Sequence, residues 1–254
     1  MIPDSVTLRS VRAAYLFPAQ PLIEMSDGME FYKGIVAAKV GVSEFSHQET
    51  ALVLQGSRGG KPPHQLRVTV DHHGGKMRLH ISEDFPDKSL EIFCQQADDV
   101  WENFLTIWDE TKRGGPQVLS EVRLRVTGAA ESGDARQYIG DKVMRVRHAG
   151  LGKLGRAIHG VGFTLIMPLQ LGSEGQYPLN GSQVKLTVES LLEDPRRIYI
   201  EAVVSWPAVG VQEKGVEGMP TVVNTRARNP STMVTEVYDY LTEYVVDFLT
   251  TLAD

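Results

Sequence analysis

Between Gln65 and Asp84 apolar and polar residues alternate with a period of two, broken once by Gly74-Gly75. Val68, Val70, Leu79 and Ile81 share one parity; Arg67, Thr69, Arg78 and His80 share the other. A period of two is the strand period, and paired glycines between two such runs supply the positive φ that a tight hairpin needs. A two-residue turn predicts Val70 opposite Leu79, Val68 opposite Ile81, and Asp71 opposite Arg78 on the other face. One apolar face and one wet face make a half-buried antiparallel hairpin. Whatever else the chain does, it has to supply a cover for the apolar side only.

The same alternation recurs downstream. Val122, Leu124 and Val126 alternate with Arg123 and Arg125, and residues 157–169 alternate through Val161, Phe163, Leu165 and Met167. Val184, Leu186 and Val188 predict a strand that turns through Glu193-Asp194-Pro195-Arg196 into another carrying Ile198, Ile200, Ala202 and Val204. Residues 89–95 read as a further strand through Leu90, Ile92 and Cys94, residues 208–219 as a loop, and residues 221–227 as a short strand.

Helical spacing appears in three places. Val100, Trp101, Phe104, Leu105 and Trp108 form a stripe behind Asp98, which reads as the N-cap, and Lys112 to Pro116 provides the stop. Residues 135–147, with Asp134 as cap, read as a second helix. The third begins at Asn229 or Ser231 and carries Val234, Val237, Leu241, Tyr244, Val245, Phe248 and Leu252 as its stripe. Residues 27–40 fit a helix or a strand, because Gly28 and Gly34 weaken the helical reading.

Strand, crossover, antiparallel strands and closing helix thus occur twice. The expected fold is α+β, a predominantly antiparallel sheet in two similar halves, 1–115 and 116–254, each closed by an amphipathic helix and together forming one body. The chain has 254 residues, a net charge of −6 and one cysteine, Cys94. A lone cysteine forms no internal disulfide, and no run approaches the roughly 20 apolar residues of a membrane span, so a cytoplasmic protein without membrane contact is expected. The acidic balance argues against a general nucleic-acid binder.

Five segments resemble chemistry and fail on context. Gly150-Leu151-Gly152-Lys153-Leu154-Gly155 matches the dinucleotide string, but the preceding run is charged and the following one alternates like a strand. Residues 56–62 echo a phosphate loop with Pro62 where a hydroxyl should hold magnesium. Asp71, His72, His73 and His80 are dense in ligand types, but strand alternation sends them to different faces. The carboxylate pairs Asp98/Asp99 and Glu193/Asp194 sit where a helix start and a turn account for them. No catalytic residue, metal ligand or cofactor is assigned.

The sequence reading is therefore a non-catalytic binding or assembly module, with a protein partner or a second copy of itself as occupant. One alternative is an anion or nucleic-acid contact through Lys142, Arg145, Arg147, Lys153 and Arg156, in a stretch (142–173) that holds no acid. Another is a small ligand between the sheet and the terminal helix, beneath Tyr244 and Phe248. Arg58 and Lys61, in the glycine-rich loop, complete the candidate contacts. No residue pattern ties the chain to a known family.

Overall fold

The computed structural model of the chain describes residues 1–18, 23–48, 50–58, 64–84, 90–145, 159–169, 178–207 and 228–251. After a 3-10 turn at Pro3–Ser5 the order is β1 (Thr7–Phe17), α1 (Met25–Ala37), β2 (Glu44–Gln48), β3 (Ala51–Arg58), β4 (His64–His73), β5 (Lys76–Asp84) and α2 (Leu90–Ile107). It continues with β6 (Leu119–Ala129), α3 (Ala135–Gln137) running into a π-helical turn at Tyr138–Val143, β7 (Gly162–Met167), β8 (Gln183–Ser190) and β9 (Arg197–Pro207). The last helix is α4 (Pro230–Asp239), a π-helical turn at Tyr240–Val245, and α5 (Val246–Thr251).

The fold is α+β with a nine-stranded antiparallel sheet in the order β2-β3-β4-β5-β1-β6-β9-β8-β7. Counted outward from the neighbours β1 and β6, the strands run β5, β4, β3, β2 on one side and β9, β8, β7 on the other. The central hairpin has the expected register: Val70 faces Leu79, Val68 faces Ile81 and Asp71 faces Arg78. Gly74 and Gly75 both have positive φ, 59° and 71°, which a side chain would resist.

The chain divides into two compact units. The β5 unit comprises Val11–Val122 and Ser205–Thr235, and the β7 unit comprises Met1–Ser10, Arg123–Val204 and Glu236–Asp254.

In the β5 unit, Val11, Ala13, Tyr15 and Phe17 of β1 are buried, as are Leu66, Val68 and Val70 of β4 and Met77, Leu79 and Ile81 of β5. The helices cover this parity. Trp101 of α2 stacks on Tyr15 with centroids 4.0 Å apart, and Phe104 stacks on Phe17 at 5.4 Å. Phe31 of α1 meets Trp108 edge-to-face at 5.2 Å. Rings in such arrangements stabilise beyond their buried area. Residues 27–40 are thus resolved as mostly helix. A Cβ on Gly34 would stand 2.3 Å from Asn103 Oδ1, so the glycine that weakened the helical reading leaves room for the Asn103 side chain of α2. Within the strand expected at residues 89–95, the described residues 90–95 are instead the start of α2. Phe93, Cys94, Ala97, Val100, Trp101 and Phe104 form one buried face at helical spacing, and Leu90, Ile92 and Cys94 alternated only within that longer period.

Asp98 therefore lies inside α2 rather than capping it. Its carboxylate accepts from the backbone N–H of Ser231, 2.9 Å away, in the first turn of α4. The Tyr15 hydroxyl donates to the carbonyl of Arg228 at 2.9 Å, and the Arg228 guanidinium lies 5.2 Å from the Trp206 ring centre. The acceptor for one open N-terminal donor of α4, and the negative charge that favours that end, are thus supplied by another helix.

In the β7 unit, Val184, Leu186 and Val188 of β8 and Ile198, Ile200, Ala202 and Val204 of β9 are buried. The cap predicted at Asp134 is present: its side chain accepts from the N–H groups of Arg136 and Gln137. The Arg136 side chain also bonds this carboxylate and holds it down at about 2. Tyr138 joins separate parts of the unit, accepting from the Met1 amino group at 2.7 Å and donating to the carbonyl of Leu249. In the terminal helix Leu241, Val245, Val246 and Leu249 are buried, whereas Tyr244 and Phe248, placed in the stripe by sequence spacing, are exposed. A regular 3.6-residue count drawn through a π-helical turn goes out of phase, because that turn holds an extra residue. The readings at residues 208–219 and 221–227 lie outside the described residues. Among the described residues no helix is long and apolar enough to cross a membrane.

Replacing Asp98 with Ala is expected to cost about 1 kcal/mol in urea unfolding, the usual loss for a capping acceptor. Asp99 is its control. Burial, and then the charge of Asp98, raise the Asp99 pKa, so Asp99→Asn should leave stability unchanged or raise it. Equal losses in the two variants would contradict the cap.

Candidate functional site

Because α1 and α2 cover one parity of the β5 unit, the other parity of its strands is left half-exposed. β1 presents Arg12, Ala14 and Leu16 there, β5 presents Arg78 and His80, and β6 presents Leu119 and Glu121. These side chains surround a depression of about 250 Å³, spanning three adjacent strands in the order β5-β1-β6. Its floor is aliphatic and its margins are charged.

The ionic side is built around His80. The Arg12 guanidinium donates through Nη2 to His80 Nδ1. Arginine has protons only to give, so Nδ1 is the accepting nitrogen and the ring proton sits on Nε2. His80 Nε2 in turn lies 3.7 Å from Asp71 Oδ2. Burial, and then the charges of Arg12 and Arg78, push His80 down to about 4, so the ring is neutral at pH 7.

The expected cross-strand pair is only half present. Asp71 and Arg78 are opposite in register, but the Asp71 carboxylate leans to His80, which is the diagonal neighbour because His80 faces Thr69. Strand twist brings one diagonal of such a ladder within reach of a short side chain. Arg78 consequently lines the depression without a hydrogen bond or ion pair to any described residue.

A second, larger depression of about 730 Å³ lies in the β7 unit, against Gly162, Thr187, Glu189, Leu192 and Tyr199. Its lining includes carboxylates and no arginine, lysine or histidine, so size alone favours it. The smaller depression is the better candidate because donors of one charge converge on it. In the β7 unit the arginine facing its neighbour strand is closed off: Arg125 Nε donates to Glu201 Oε2 at 2.6 Å. Tyr199 donates to the same oxygen at 3.3 Å, and its hydroxyl is pushed up to about 12, by burial and then by Glu201.

The residues singled out by sequence do not gather into this site. Lys142, in the π-helical turn after α3, and Arg145, just beyond it, are exposed, while Arg147, Lys153 and Arg156 lie outside the described residues. Arg58 is at the end of β3, and Lys61 lies outside the described residues. Tyr244 and Phe248 are 53% and 40% exposed. His72 is on the face opposite His80, as strand parity required, and burial lowers its pKa. Among the described residues no three His, Cys, Asp or Glu side chains cluster as metal ligands would.

Sequence reasoning missed the β1 half of the depression. Val11, Ala13, Tyr15 and Phe17 do alternate with Arg12, Ala14 and Leu16. The polar parity carries only one charge and two aliphatic residues, so the contrast that exposes a half-buried strand is faint there.

No protein-family model and no curated protein matches the chain. Two solved structures align with it. DynU16, from the dynemicin biosynthetic locus, is 12% identical over 76% of this chain and 86% of its own, with a TM-score of 0.24. The di-domain ARO/CYC StfQ, from the steffimycin biosynthetic pathway, is 10% identical over 95% of this chain and 94% of its own, with a TM-score of 0.20. At these scores neither likeness carries an argument.

The state of His80 predicts a pH dependence. An unfolded histidine takes up its proton near 6.5, whereas the folded one waits until about 4. Between those values the unfolded chain binds more protons, so this group's contribution to stability is lost as the pH falls through the interval. In urea unfolding from pH 7 to 4.5, the stability of the wild type relative to His80→Gln is expected to decrease steadily. A difference that stays constant with pH would contradict the assignment.

Proposed function

We propose that the protein is a non-catalytic binding module that takes a small anionic molecule into the depression between β5, β1 and β6. The observation that carries this reading is the convergence of Arg78 and the Arg12–His80 pair on one margin of an aliphatic floor. A guanidinium facing a recess in which water is partly displaced favours an anion more strongly than one on an open surface does.

The same geometry takes His80 and the two arginines out of acid–base chemistry at this spot. A general base needs an available lone pair on the reacting side. The lone pair of His80 is used by Arg12, and its Nε2 proton faces Asp71. Arginine does not exchange protons near neutral pH, so Arg12 and Arg78 can orient and neutralise a ligand but cannot act as acid or base.

Native mass spectrometry of the protein purified from the cells that make it tests the reading against an Arg78→Glu variant with an unchanged circular dichroism spectrum. The expected result is a bound mass on the wild type, absent from the variant, that keeps its value through prolonged incubation. A bound mass retained by Arg78→Glu would remove the depression as the site. Conversion of the bound mass into another would overturn the non-catalytic assignment.

A further inference from the structure

We infer that the ligand of this depression is a small monocarboxylic acid with an apolar body and a hydrogen-bond donor at its far end. The inference rests on the depression being the binding site, and it deepens that reading from charge to chemical class.

Size sets the first limit. A volume of about 250 Å³ is below the ~300–1,000 Å³ of pockets that hold drug-sized ligands, so the part of the occupant seated in it is of the order of one ring or a short chain. The lining then divides that small molecule into three parts. Arg78 offers a planar fork matched to the two oxygens of a carboxylate, and it has no bond to a described residue that a ligand would first have to break. Ala14, Leu16 and Leu119 offer no polar side-chain atom, so the middle of the ligand is apolar. Glu121 lies at the other side, on β6, and can only accept when ionised. Its contact from Ser205 Oγ, at 3.5 Å, leaves room on the carboxylate for another donor.

Strand spacing fixes the scale. β5 and β6 are separated by β1, so their backbones stand two ladder steps apart, roughly 9–10 Å. A single ring with a carboxylate on one side and a hydroxyl or amine on the other fits that order of length.

The charge balance separates a carboxylate from a phosphate. Asp71 and Glu121 sit on the same face as Arg78, so a doubly charged anion would meet repulsion from both. Phosphate sites are also commonly made from free backbone N–H groups at a helix start or nest. This surface consists of strand side chains, with the β4–β5 backbone engaged in ladder pairing.

The test uses 4-hydroxyphenylacetate, phenylacetate, 4-methylphenol and inorganic phosphate as probes at pH 7. Side-chain NMR of the full chain follows Arg78 Nε–H and the Leu119 methyls. Saturable shifts at both groups are expected with the two acids, and none with the neutral phenol. Arg78→Gln should weaken 4-hydroxyphenylacetate at least ~tenfold. Glu121→Gln should weaken it several-fold while leaving phenylacetate unchanged or tighter, since the variant removes a nearby negative charge, a split that a general loss of folding cannot give. Shifts at Arg78 with phosphate but not with the acids would overturn the ligand class and leave the site standing. If neither the acids nor phosphate shifts Arg78 and Leu119, the site falls as well. Equal effects of Glu121→Gln on the two acids would overturn the donor end.

Discussion

The ring of Tyr15 lies on that of Trp101 with centroids 4.0 Å apart, and its hydroxyl reaches past the ring edge to the carbonyl of Arg228. One side chain thus joins β1, α2 and the approach to α4 within the β5 unit. Much else follows from that commitment. A strand has only two faces, so anchoring Tyr15 and Phe17 against the helices assigns Arg12, Ala14 and Leu16 to the other side. A slip of one residue would place Arg12 in the aromatic core and expose Tyr15, at a cost no local rearrangement could offset. The depression is therefore a consequence of core packing. It exists because the helices of the unit lie on one parity and the sheet is wide enough to bring three strands' outward residues together.

How legible this was in the sequence depended on contrast. The β4–β5 hairpin was readable to the residue because four apolar positions alternate strictly with polar ones around two glycines. The Asp134 cap was readable because capping is local. The strand expected at residues 89–95 rests on a few alternating apolar residues that also satisfy part of a helical stripe, and only the longer run through Phe104 distinguishes the two. Asp98 was assigned to its own helix because sequence neighbours are all that a sequence displays. Its actual partner, Ser231, is 133 residues away. The π-helical turn at Tyr240–Val245 shifted the buried face of the terminal helix in a way that no regular period anticipates. For the site, Asp71, Arg78 and His80 were visible as a polar strand face, while Arg12, Leu119 and Glu121 became part of it only through the order β5-β1-β6.

The two units handle arginine on a strand in opposite ways. Where Arg125 meets Glu201 at 2.6 Å, charge is matched by charge and the pair is closed to a further anion. In the β5 unit the corresponding neighbour of an arginine is a histidine, and burial between Arg12 and Arg78 keeps that histidine neutral. The carboxylate of Asp71 is drawn toward the imidazole rather than toward the arginine opposite it. A neutral His80 thus orients Arg12 without cancelling its charge, and Arg78 faces the recess beside it. The binding proposal stands or falls with that arrangement.

The most direct check is a site-resolved 15N NMR titration of His80 in the free protein. The account predicts an imidazole protonated on Nε2 alone at pH 7, with Nδ1 as acceptor, and a midpoint near 4. An imidazole protonated on Nδ1, or a midpoint at the ordinary ~6.5 of an exposed histidine, would contradict it.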